Sequence, residues 1–243
     1  MKFLGVTLAA LVTALATGLG ALPFAFGTFH RRWLGVANAI AAGFMLSASG
    51  ALLIEGAIRG WWQTLAGAAV GATFIVVTER LLAGQEIEFA ALRGADARKA
   101  LLIVAVMTVH SFSEGVGVGV SYGGGAELGI AITIAIAIHN IPEGLAISLV
   151  LVPRGASVRS AAWWSIFSSL PQPLVAAPAF LFVEVFKPFL PAGLGFAGGA
   201  MTWVVLAELL PEARADLRAS RLALWLGGSL LAMSLLQVAL LAH

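Results

Sequence analysis

Eight apolar stretches, each about as long as a bilayer is thick, follow one another along this chain with only short polar breaks between them. They run near 3–26, 33–55, 61–82, 100–122, 126–152, 160–184, 190–210 and 222–242. A helix needs about 20 consecutive, mostly apolar residues to cross the hydrocarbon core, so each stretch is predicted to be one pass. No length is left over for a soluble domain, and residues 1–243 read as a single transmembrane unit of all-α class. Lys2 ahead of an apolar run imitates a secretory leader, but seven further spans favour a retained first helix. The longest polar stretch, roughly 83–99 with Glu86, Glu88, Arg93, Asp96, Arg98 and Lys99, reads as a flexible or amphipathic loop.

Composition and charge point the same way. With 60% hydrophobic and 11% charged residues, the chain cannot make an ordinary water-soluble domain. Its formal net charge of +2 comes from basic residues between spans rather than from a basic face. That argues against a nucleic-acid partner and makes these residues orientation signals in a lipid bilayer. Cysteine is absent, which excludes disulfides, thiolate metal sites and thiol catalysis. Alternating the spans places Arg31, Arg32, Arg80, Arg93, Arg98, Lys99, Arg154, Arg159, Arg214, Arg218 and Arg221 on one side, against Lys2, Arg59 and Lys187 on the other. The positive-inside bias makes the first side cytoplasmic and puts both termini outside, in a multi-pass protein of the cell (inner) membrane.

The stretch from His110 to Ser148 breaks the apolar monotony. His110 and Glu114 lie four residues apart in the fourth span, and His139 and Glu143 repeat the spacing in the fifth. On a helix that spacing puts both side chains on one face. Carboxylates at membrane depth are costly unless paired or metal-bound, and two His with two Glu in adjacent helices can close around one divalent cation. Packing residues that merely satisfy one another are the less favoured explanation. Nitrogen and oxygen ligands suit zinc, iron, manganese or cobalt, with no soft sulfur to favour copper(I). Pro142 removes the backbone bond to the Ile138 carbonyl, so the fifth span is expected to open beside His139, as a cavity lining or a plain hinge. Gly115, Gly117 and Gly119, and the pairs Gly67/Gly71 and Gly195/Gly199, are expected to let helices approach closely. A faint echo between Ala41–Met45 and Ala197–Met201, in spans of opposite sense, fits an inverted-repeat arrangement around a midplane site.

At these residues the chain resembles the ZIP (Zrt-, Irt-like) family of divalent-metal transporters. The resemblance rests on His110-x-x-x-Glu114-Gly and His139-Asn140-x-Pro142-Glu143-Gly. Gly71-Ala-Thr-Phe, and Ala200-Met201 through Glu208-Leu-Leu-Pro211-Glu212, support it. The paired His/Glu helices are the specific part. The resemblance implies eight helices in a 3+2+3 arrangement, extracytoplasmic termini, a metal pathway between the fourth and fifth helices, and uptake of zinc or related ions into the cytoplasm. Many members place a glutamate before proline in the sixth helix for a second metal position; here the matching residue is Gln172. Members often carry Asn after the first His, where this chain has Ser111. Ser111, Asn140 and Gln172 are thus neutral candidates for a secondary or pathway role.

The expected function is transport of a divalent cation, which is substrate rather than resident cofactor: zinc first, with iron, manganese, cobalt and cadmium as alternatives. Glu114, His139 and Glu143 are expected to form the primary site, with His110 a further ligand and gate. A membrane-embedded metallohydrolase is the first competitor, but no His-Glu-x-x-His segment is present. A non-transporting metal sensor is the second, and the chain displays no signalling domain for it. Whether two copies form a homodimer is left open by the sequence.

Overall fold

A computed structural model describes residues 2–27, 32–83 and 95–241. Among them every regular element is helical: α1 (Lys2–Leu19), α2 (Arg32–Ala83), α3 (Ala95–Gly124), α4 (Ala126–Leu151), α5 (Val158–Ser169), α6 (Pro171–Val185), α7 (Leu190–Val204), α8 (Leu210–Asp216) and α9 (Ala219–Leu241). Six stretches are long and apolar enough to cross a membrane, the longest being Trp33–Thr78. The protein is therefore an all-α, polytopic membrane protein. Most of the expected polar loop lies outside the described residues, and α3 begins earlier than expected, at Ala95.

The second and third expected spans have no loop between them. Helix α2 runs 52 residues, and a straight helix of that length would measure about 78 Å, far more than the roughly 30 Å hydrocarbon core. It does not run straight. Gly60 leaves the helical conformation (φ 179°, ψ 87°), and a methyl group placed on Gly56 would lie 2.7 Å from the Thr64 hydroxyl. Residues eight apart on one helix are about 12 Å apart, so the chain folds back at Gly60. The two halves meet the same partner: Gly198 faces Leu53, and its neighbour Gly199 faces Ala68. The expected close-packing glycines do press on backbone here, Gly67 against Ala192 and Gly71 against Phe196.

The expected sixth span is also divided. Its helix stops at Leu170 and restarts as α6, with Pro171 at the first turn, where a missing N–H costs nothing. The seventh passes through a π turn at Val205–Leu209 before α8. Helix α2 packs along α7 and α9, while α1 packs along α4 and α6, and α3 along α6. Met45, Leu52, Leu194 and Met201 fill the α2–α7 seam without solvent exposure beyond 1%. The outer faces are apolar, as with Leu8, Val12 and Leu15 of α1 and Leu231, Leu235 and Val238 of α9. Meanwhile His110, Glu114, His139, Glu143 and Gln172 are buried. Apolar outside with ionisable groups inside is the distribution that lipid, not water, selects.

The two ends of the bundle differ in kind. At one, Arg59 donates to the Gly124 carbonyl (2.9 Å) and pairs with Glu55 (2.6 Å). Gly5, Tyr122 to Ala126, Glu184 and Lys187 line a cavity of about 430 Å³ at the same end. At the other end Trp33, Asp216, Arg218, Arg221 and Trp225 line a cleft of about 620 Å³. Arg59 and Lys187, two of the three minority basic residues, thus share an end.

Candidate metal centre

The centre is organised by a one-residue connection between two helices. Gly125 alone separates α3 from α4, and its φ of 140° is in the left-handed range that favours glycine. Two antiparallel helices leaving one turn stay in register, since both climb about 1.5 Å per residue. Glu114, His139, His110 and Glu143 then lie about 16–27 Å from that turn, near the middle of both helices. The i,i+4 spacing turns each His/Glu pair to one face, and the hairpin brings the faces together. One ligand atom from each of the four residues lies within 4.8 Å of the others.

Glu114 is the hub. Its Oε1 contacts His139 Nε2. His110 Nε2 lies 3.2 Å from the same oxygen, within ion-pair range but out of line for a hydrogen bond. Its Oε2 accepts from the Gln172 amide at 2.5 Å. Glu143 is different: both its carboxylate oxygens are buried without a hydrogen-bond partner, as are Nδ1 of His110 and of His139. Buried polar atoms in folded proteins are nearly always satisfied, so a cluster of unsatisfied ones on metal-ligating side chains fits a bound cation. Ligand atoms around tetrahedral zinc, at bonds of about 2.0–2.1 Å, stand about 3.3 Å apart, a modest side-chain contraction from the spread seen here. Two carboxylates also balance the charge of one dication.

All seven residues singled out in the sequence are buried in this region or beside it. Gln172, expected only as a neutral substitute, touches Glu114 directly. Asn140 donates to Gln172 Oε1 (3.3 Å) and to the Thr13 carbonyl (2.8 Å), and the Ser111 hydroxyl is buried without a partner. The opening expected at Pro142 does not interrupt α4, which runs through the proline to Leu151. Two residues carried more than the sequence reading gave them. Thr13 of α1 bonds Gln172; its only signal was a pair of hydroxyls, Thr13 and Thr17, four apart in an apolar run. Glu208, noted only as motif support, sits in the π turn and acts electrostatically on His110 and Glu143.

An all-helical membrane bundle that buries a His/Glu cluster near the middle of two of its helices offers the donor set of an intramembrane metal-binding protein. The sequence matches the ZIP zinc transporter family over residues 85–239, and the chain belongs to that family. A protein of Arabidopsis thaliana named as a candidate zinc transporter is 47% identical over 224 residues, covering 90% of this chain; the chain spans only 36% of that protein's length. Zinc transporter GufA of Myxococcus xanthus is 33% identical over 228 residues, covering 84% of this chain and 86% of its own. Zinc transporter ZupT of Lysinibacillus sphaericus is 32% identical over 233 residues, with the same coverage of 84% and 86%.

Proposed function

We propose that this chain carries a divalent metal cation, zinc first among them, across the cell (inner) membrane into the cytoplasm through the His/Glu site between α3 and α4. Glu114, His139 and Glu143 hold the ion, and His110 is a further ligand and gate. The single observation that carries this reading is Glu143, a carboxylate buried in the bundle with neither oxygen satisfied. Relatives named as zinc transporters support zinc as the cargo. Iron, manganese, cobalt and cadmium suit the same nitrogen and oxygen donors. Residues 1–243 act as one transporter domain of eight passes, counting the two halves of α2 separately. The end carrying Arg59 and Lys187 faces outward, by the positive-inside bias.

The test is initial zinc uptake into lipid vesicles reconstituted with the protein, in competition with the other ions. Uptake that saturates, and that is lost in Glu143→Gln, is the expected result. Vesicles containing correctly folded parent protein that take up no divalent metal would overturn the proposal.

A further inference from the structure

Gln172 is held in one orientation by three helices, and this inference, which rests on the transport reading above, concerns what that orientation does. Its Oε1 accepts from the Thr13 hydroxyl of α1 and from Asn140 Nδ2 of α4 (3.3 Å), and its Nε2 donates to Glu114 Oε2 of α3 (2.5 Å). A side-chain amide has one accepting and one donating end; Asn140 Nδ2 can only donate and the Glu114 carboxylate accepts, so the NH₂ points at Glu114, while the single Thr13 hydroxyl proton is shared between the Gln172 oxygen and the Ala10 carbonyl (2.7 Å). Thr13, Asn140 and Gln172 are all fully buried. A methyl group on Gly115 would lie 2.7 Å from the Gln172 backbone oxygen, so α3 and α6 touch beside the amide and leave it little room to swing away.

The consequence falls on Glu114. Its two oxygens do different work: Oε1 faces both imidazoles, and Oε2 is taken by a neutral donor. A carboxylate bridging two dications would give one oxygen to each. We propose that Gln172, anchored by Thr13, is a positioning and specificity-determining residue that presents Glu114 through one oxygen to a single ion and so makes the centre mononuclear. Charge supports the same result. The Ser111 hydroxyl and Asn140 Oδ1 are buried without partners, yet both are neutral. Glu114 and Glu143 balance one dication, and a second would be left uncompensated beside the first in a low-dielectric interior.

The test uses the full chain in lipid nanodiscs, dialysed against zinc with bound metal counted by elemental mass spectrometry, alongside uptake against zinc concentration in vesicles. The parent is expected to retain one zinc, and Gln172→Glu two. Thr13→Val, which keeps shape but loses the hydroxyl, should retain one zinc while its KM rises about tenfold, in the range of losing an orienting contact behind a ligand, with maximal rate within about twofold. Thr13→Ser should restore the parent KM. A parent that transports but holds two equally tight ions, a Gln172→Glu protein that still holds one, or Thr13→Val and Thr13→Ser variants impaired alike would each overturn the inference and leave the transport reading standing. A folded parent that neither binds nor moves zinc would overturn both.

Discussion

Glu114 and Glu143 occupy equivalent motif positions, yet their surroundings give them opposite roles in the metal-free protein. Glu114 has a partner on each oxygen; Glu143 has none on either. A buried carboxylate with neither oxygen satisfied weakens the fold whether it stays charged or takes up a proton, and a cation bound as proposed would relieve that cost at Glu143. Glu143→Gln should therefore do two things at once. Transport should fall more than about 100-fold, beyond the range of losing a contact behind a ligand. The metal-free melting temperature should hold or rise by about 2–4 °C, the shift that about 1 kcal/mol gives in a chain of this size. Glu114→Gln should lower it, because an amide keeps only one accepting oxygen and must turn its NH₂ toward either the imidazoles or the Gln172 NH₂. Melting curves with and without zinc check this: zinc should raise the parent's midpoint and leave that of Glu143→Gln unmoved. Stabilisation of both proteins by zinc to the same degree would place the ion elsewhere. His110→Ala, removing a residue held only loosely to Glu114, should reduce uptake less than Glu143→Gln does in the same assay.

At the scale of elements, the site depends on helices brought to backbone contact. A methyl group on Gly144 would sit 1.7 Å from the Thr17 carbonyl, and one on Gly20 would sit 2.1 Å from the Leu145 nitrogen, so α1 and α4 cross with nothing between them. Gly144 directly follows Glu143, and α1 carries Thr13. Gly144→Ala should force the two helices apart, costing about 1–3 kcal/mol as overpacking does, and should lower uptake by disturbing Glu143 without touching a ligand. Fluorescence-detected thermal melting together with uptake would show both losses; wild-type behaviour in both would mean that the crossing is looser than drawn. The His/Glu face could be read in advance because i,i+4 periodicity is a local property; the one-residue turn at Gly125 that pairs the two faces came from the structure. The arrival of Gln172 could not. It depends on where α6 restarts at Pro171 and on how closely Gly115 lets α3 approach, and both are settled by packing between distant segments. The reversal between the second and third spans was legible, because bilayer thickness demands it near 55–61; that Gly60 makes it without a loop was not, because helix-forming residues continue on both sides of it.

For the whole molecule, charge and packing can be compared directly. Alternating spans assigned Lys2, Arg59 and Lys187 to one side from sequence alone, and the bundle brings Arg59 to the Gly124 carbonyl and Lys187 to the same end, with Arg218 and Arg221 at the opposite end. Trp61 and Trp62 beside the Gly60 turn, and Trp33 and Trp225 at the far end, are all exposed and would lie at the two headgroup levels where indole rings collect. The arrangement shows which residues share an end, and the positive-inside bias is the ground for the proposal that the end carrying Arg218 and Arg221 faces the cytoplasm. Since the chain has no native cysteine, single cysteines report cleanly. Lys187→Cys and Arg59→Cys should react with a membrane-impermeant maleimide added outside intact cells, whereas Arg218→Cys and Arg221→Cys should react only after the membrane is opened. All four should react fully in detergent, which controls for burial. Lys187→Cys and Arg218→Cys labelled from the same side would break the alternation itself. The four positions divided as drawn but with the sides exchanged would keep the fold and reverse the direction in which the metal is carried.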